Sequence, residues 1–327
     1  MDNQVKKIIK KILVIVNKNW ETDPVVNVFF NDKAIPKDYS VTVAKHPVVR
    51  KNPAVLLPRI RISNTAKNAG KNNDTLFLFE AEIWCIQDFM DPERNSSSSS
   101  EKVRVLYQLF EQYKKTNQTP DFLIAMGTAG YPEPDSYNGC VTIGTQVLIN
   151  DAHPDNENKD SNWHHNRFGI LVPSDLTKLA NGFISQIPYS TRYNAECRFI
   201  PTPLNPVETP RIMAGDKYVA LGNVNITDYS DFIWADKHAV EKARNKEKMD
   251  KIASVETTHG IIRMIAEDCL YHSTPPFLFI SGITDRVGYF DEEVTPRVYT
   301  QNFVASHNMG ITLAWLLQDL PGINLKK

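Results

Sequence analysis

No apolar run in this sequence approaches the roughly 18 residues that a membrane-spanning helix needs. The longest are short stretches such as Ile12 to Val16 and Phe277 to Ile280, so a bilayer span is excluded. Cysteine is scarce: Cys85, Cys140, Cys197 and Cys269 stand far apart, with no C-x-x-C and no nearby His pair. Neither a disulfide framework nor a zinc site is implied, and isolated buried thiols are expected. An excess of one charge is also absent. With 37 basic and 38 acidic residues the formal net charge is −1, which does not draw the chain onto nucleic acid or a membrane surface. The Lys-rich start, Met1 to Lys11, is followed by only five apolar residues and no small-residue cleavage site, too little for a secretory leader. A cytoplasmic protein is expected.

What remains is an ordinary globular composition, 42 % hydrophobic and 23 % charged over 327 residues. Lys11 to Val16 is a β-branched run ended by Asn17-Lys18-Asn19, the pattern of a buried parallel strand. Pro24 to Arg61 reads as strand-like and Pro-punctuated, Thr75 to Asp88 as another strand. Asn95 and Ser96 to Ser100 predict a flexible loop, placed at 92–101, that leads into an amphipathic helix over Glu101 to Lys115. Pro120 to Met126 is an apolar strand entering a glycine turn, Gly127-Thr128-Ala129-Gly130, the shape of a ligand cradle. Further strands are expected at Gly139 to Ile149, Lys217 to Ile226 and Pro276 to Ile283. Helices are expected at Phe232 to Lys248, Ile252 to Tyr271 and Asn302 to Leu320, and Asn150 to Arg167 reads as a polar loop. Strands alternating with helices mean an α/β fold. With no repeat and no composition shift, residues 1–327 are expected to form a single domain with a central mixed β-sheet flanked by helices.

Two carboxylates sit where apolar strands end: Glu21 after the first strand and Asp285 after Phe277 to Thr284. Ligands of α/β sheets bind beyond the carboxyl ends of strands, although Asp and Glu also serve there as caps and turn residues.

Taken together these segments resemble the purine nucleoside phosphorylase and nucleosidase superfamily. Ile280-Ser281-Gly282-Ile283-Thr284-Asp285 looks like the family's R-G/A-I-S-D strand end, and Gln301 to Leu317 is similar to its Ala-rich final helix. Val255-Glu256-Thr257-Thr258-His259 looks like M-E-x-A-A, and Met126 to Gly130 like T-G-S/T-A-G. Gly222 to Ile233 is similar to the strand and turn before a base-stacking aromatic, and Ile15 to Glu21 to the first strand with its downstream Glu. The resemblance implies a phosphorylase/nucleosidase-like fold, a small-molecule purine nucleoside or nucleotide as ligand, no cofactor or metal, and a homo-oligomer. It assigns Asp285 as the acid that protonates the leaving purine and Glu21 as the group that deprotonates water. Glu256 would grip the ribose hydroxyls opposite the oxocarbenium-like centre. Gly127, Thr128, Ala129 and Gly130 would lie against the sugar, with Phe232 stacked on the base and Ile233 at its edge.

The departures carry information too. Ala125-Met126 stands where phosphorylases of the hexameric type place a phosphate-binding Arg, which favours water as nucleophile. Ser281 and Thr284 replace the motif's Arg and Ser, and a one-residue shift would put Thr257 in the place of Glu256. Proteins resembling this superfamily also occur as nucleotide-depleting effectors in antiviral defence, so ATP or a related nucleotide is a candidate substrate. A phosphate-dependent phosphorylase and a catalytically silent nucleotide-binding module are the alternatives. The basic residues His164, His165, Arg167, Arg192, Arg198 and Arg211 would suit a 5′-phosphate, or simply face solvent. His153, His164 and His165 lack the carboxylate or Cys that would complete a metal set.

Overall fold

A computed structural model of the protein describes residues 6–31, 39–43, 56–64, 70–72, 75–93, 99–132, 137–144, 146–150, 164–167, 212–214, 219–221, 229–248, 252–293 and 300–320. In chain order these form β1 (Lys6–Val16), α1 (Asn19–Asn31), β2 (Tyr39–Val43), β3 (Ile60–Asn64), β4 (Gly70–Asn72), β5 (Thr75–Cys85), α2 (Ser99–Thr116), β6 (Phe122–Tyr131), β7 (Val141–Gly144), β8 (Gln146–Asn150) and β9 (His164–Arg167). There follow β10 (Ile212–Ala214), β11 (Val219–Leu221), α3 (Tyr229–Glu247), β12 (Val255–Glu256), α4 (His259–Leu270), β13 (Phe277–Arg286), α5 (Phe290–Glu293) and α6 (Thr300–Asp319). Residues 94–98 of the 92–101 segment and Arg192, Arg198 and Arg211 lie outside the described residues.

The described strands join one mixed sheet, and its order β2-β3-β5-β1-β6-β12-β11-β8-β9 is extended by β13, which pairs with β6 and β7. β1, β6 and β13 are central and parallel. Strands covered on both faces read as unbroken apolar runs, which is why these three are legible in the sequence. On one face Ile12, Val14, Val16, Ile124 and Ile280 pack against Val25 and Val28 of α1 and Met309, Leu313 and Leu317 of α6. On the other, Leu13, Ile15, Leu123, Ala125 and Phe279 pack against Leu106, Phe110, Ile262 and Ile265 of α2 and α4. Among the described residues no helix is long and apolar enough to cross a membrane.

Four local expectations are corrected. Pro24 reads as strand punctuation but lies inside α1. Its missing N–H costs the helix one internal bond, and burial of Val25, Val28 and Phe29 against the sheet outweighs that loss. Gly127 to Gly130 is not a turn but the continuation of β6, because β13 pairs with it as far as Tyr131. Residues 255–256 form a strand, and α4 starts at His259 rather than near Ile252. Residues 164–167 are not loop but strand β9, antiparallel to β8.

Helix α6 packs closely against the sheet and against α1 through two glycines. A Cβ on Gly282 of β13 would stand 2.8 Å from the Ala305 carbonyl oxygen, and one on Gly310 would stand 2.9 Å from Val25 Cα. Gly282→Ala therefore presses a methyl into helix backbone, which has no rotamer to yield. It is expected to cost about 1–3 kcal/mol of stability, read as a lowered denaturation midpoint; an unchanged midpoint would mean that α6 moves away freely.

Candidate functional site

The sheet places the site by an interruption. One edge of β6 pairs with β13 throughout. The other pairs with β1 through Met126 and then with β12 at Gly130. Among the described residues no strand pairs with Gly127, Thr128 and Ala129 on that second edge, a split of the kind at which α/β sheets form their crevices. A backbone N–H left there needs a partner, and Glu21 supplies it. Its Oε1 accepts from Thr128 N at 2.7 Å and from Thr128 Oγ1 at 2.8 Å, while its Oε2 accepts from Lys18 N at 2.8 Å. Glu21 thus lies in the first turn of α1, its carboxylate buried. Burial raises its pKa above the usual carboxylate range; the Thr128 and Lys18 bonds oppose that rise and the nearby Glu256 charge adds to it.

Glu256 ends β12. Its Oε2 accepts from Thr258 N and, at 2.7 Å, from His259 N, so the start of α4 caps one carboxylate oxygen with backbone donors. Burial works against the ionised form. It is outweighed by His259, whose Nδ1 lies 3.9 Å from Oε2, by the two N–H groups and by Lys102, so the pKa falls. His259 itself is held below its ordinary value by burial. Its ring stacks toward Phe279 at 6.2 Å.

Gly127 is where these groups converge. A Cβ there would lie 3.2 Å from His259 Nε2, 3.3 Å from Glu256 Oε1 and 3.5 Å from Glu21 Oε1. Gly127→Ala would push its methyl between two carboxylates and a ring. The expected result is a fall of at least tenfold in any turnover at this site, since small displacements of reacting groups cost that much or more. The fold should survive, because all three neighbours are side-chain atoms rather than backbone. Wild-type turnover in this variant would remove Gly127 from the site.

Asp285 reaches the same region by a bulge. β13 and β6 are in register to Ile283 opposite Ala129, then shift so that Asp285 faces Gly130, with Thr284 inserted. Bulges re-aim a side chain in this way. A Cβ on Gly130 would meet Asp285 Oδ2 at 3.3 Å. Asp285 thus sits within the strand rather than after it. Burial raises its pKa to about 7, against the Thr284 hydroxyl that donates to Oδ1 at 2.6 Å and with the Glu293 charge adding to the rise. Glu293, in α5, is itself tied to Arg286, accepting from its N and Nε at 2.9 and 2.5 Å.

The structure brings Glu21, Glu256, Gly127 and Thr128 together, and places Asp285 beside Gly130 a few residues along the same strand. Ala129 is buried in a small core cluster with Cys140 and Ile283. Phe232 and Ile233 lie in the first turns of α3, and Ile233 is half-buried. One turn beyond Phe232 is Asp236, which sequence reasoning missed. Burial, then the charges of Asp285 and Glu256, push its pKa well up, so it shares their field. Lys102 and His259 were also missed. His259 follows Glu256 by three residues, a spacing that the motif comparison contained and did not use.

No protein-family model matches the chain, and no curated protein matches it by sequence. Solved structures do. An Arabidopsis thaliana 5′-methylthioadenosine nucleosidase in apo form superposes with a TM-score of 0.50 at 14 % identity, over 96 % of this chain and 97 % of that one. A 5′-methylthioadenosine/S-adenosylhomocysteine nucleosidase from Colwellia psychrerythraea, in complex with adenine, gives 0.48 at 13 % identity, over 97 % and 98 %. The chain has the nucleosidase-type α/β fold, a mixed central sheet flanked by helices, as the motif resemblance implied.

Proposed function

We propose that this chain hydrolyses the N-glycosidic bond of a purine nucleoside or nucleotide and releases the free base. The observation that carries the reading is the convergence of two buried carboxylates, one with raised and one with lowered pKa, on Gly127 at the split in the sheet. A third buried acid stands beside Gly130 with its pKa near 7. Pairs of acids whose environments drive them apart divide acid and base work.

In this reading Asp285 enters protonated and gives its proton to the base as the C1′–N9 bond breaks and its electron pair goes to the purine. Glu256, held ionised, accepts hydrogen bonds from the ribose hydroxyls through Oε1 and faces the positive charge that develops on the sugar. Glu21 takes a proton from water, whose oxygen bonds to C1′. The products are free purine and ribose or ribose phosphate. Asp285 ends deprotonated and Glu21 protonated, and exchange with solvent restores both. Phe232 would stack on the base. Ala125 and Met126, apolar and buried where a phosphate-binding Arg would stand, support water as the acceptor.

We further infer a single-domain, cytoplasmic, homo-oligomeric enzyme, with nucleotide depletion in antiviral defence as its setting. That setting is supported by the motif resemblance and puts ATP among the substrates to try. The test is chromatographic. Purified protein is incubated with adenosine, inosine, guanosine, methylthioadenosine, AMP, ATP, dATP and NAD, with and without phosphate. Base released without phosphate is expected. Base released only with phosphate would make the chain a phosphorylase, and nucleotide binding without release from any member would make it a sensing module.

A further inference from the structure

Lys102 stands in the first turns of α2, a helix that contributes no residue to the proposed reaction. Its side chain is 2 % exposed, and its Nζ donates to Thr258 Oγ1 at 3.1 Å. Thr258 in turn donates its backbone N–H to Glu256 Oε2, and its hydroxyl lies 3.3 Å from that of Thr257. A buried cation therefore reaches the back of the turn whose front carries Glu256. The charged groups that face it are Lys18 from the corner between β1 and α1, Glu21 from α1 and Glu256 from β12. His259, at the start of α4, lies in the same field. An ammonium buried on a hydroxyl alone costs several kcal/mol of lost hydration; here two carboxylates offset that cost.

We propose that Lys102 is a positioning residue of this site: it fixes the turn that aims Glu256 and supplies the counter-charge that keeps Glu256 ionised while Glu21 takes up a proton. The proposal rests on the reading of Glu21 and Glu256 given above. Two neighbouring carboxylates compete for one proton, and a cation anchored behind Glu256 directs that proton to Glu21. A protonated Glu256 would lose its charge opposite the sugar. Burial, then Lys18, lower the Lys102 pKa to about 8, against the pull of Glu256 and Glu21, so the ammonium is charged at neutral pH.

Lys102→Met and Lys102→Arg are compared in the full chain. Loss of the charge in Lys102→Met is expected to lower kcat about 10- to 100-fold, the size of one charge-assisted hydrogen bond. It should also move the acid limb of the kcat/KM profile up by about one pH unit, since carboxylates lose a nearby cation. Lys102→Arg should restore the limb. Equal impairment in both variants with the limb unmoved, or wild-type behaviour in Lys102→Met, would overturn the proposal. A second measurement needs no turnover: NMR titration of 13Cε-labelled lysines, with Lys102 assigned by its loss in Lys102→Arg. In Glu256→Gln its midpoint should fall by about one further unit; an unmoved midpoint overturns the pairing. Absence of base release from wild-type protein with the midpoint moved would leave the pairing standing and remove only the glycosidase reading.

Discussion

Asp285→Asn is expected to slow base release by about 10²- to 10⁴-fold, the contribution of a positioned general acid, while an unreactive nucleoside analogue still binds. The amide keeps the shape of the carboxyl, and the Thr284 hydroxyl still has an oxygen to donate to. What is lost is the proton. The same assignment fixes a pH dependence. The acid form is required and its pKa is about 7, so wild-type kcat/KM falls as pH rises through about 7, by about tenfold per unit. That alkaline limb should be missing in Asp285→Asn. The sign for stability is the same. Between 3.8 and about 7 the folded protein holds a proton that the unfolded chain has released, so this group's contribution to stability is lost as pH rises through that window. A limb that persists in the variant, or a wild-type rate, would discard Asp285 as the acid.

Glu21→Gln should lower hydrolysis by a comparable factor, about 10²- to 10⁴-fold, because an amide takes no proton from water. It also tests the local structure. Glu21 accepts N–H groups on both oxygens, Thr128 N on one and Lys18 N on the other. A glutamine can accept only one and must turn its own NH₂ toward the other donor. That mismatch is expected to cost about 1–3 kcal/mol, visible as a lowered urea midpoint. Denaturation and kcat therefore separate the two roles: lost stability with unchanged kcat would reduce Glu21 to a structural cap.

The central strands and the fold class were legible because β1, β6 and β13 are covered on both faces and read as apolar runs. Helix α1 was not, since a Pro inside a helix contradicts local propensity and burial against the sheet and α6 outweighs that. Glu21 and Asp285 could be found from their places near strand ends. Glu256 needed the motif resemblance, as nothing in its spacing sets it apart. The bulge at Thr284 had no local signal: register is a relation between strands, and a single strand does not carry it. Lys102 was invisible for a different reason. In a helix that also carries Glu101, Lys114 and Lys115, a lysine reads as solvated surface, and only the tertiary fold turns it inward.

The bare edge of β6 has a consequence for how occupancy would register. From Gly127 to Ala129 the sheet keeps one neighbour, and among the described residues no strand takes the other side, leaving a notch a few residues long. A nucleoside lodged there would act as a surrogate for the absent strand. Ligand and fold would then be mended by the same contacts, and saturation at about 100 times Kd would add about 2.7 kcal/mol to unfolding, with slower amide exchange centred on the notch.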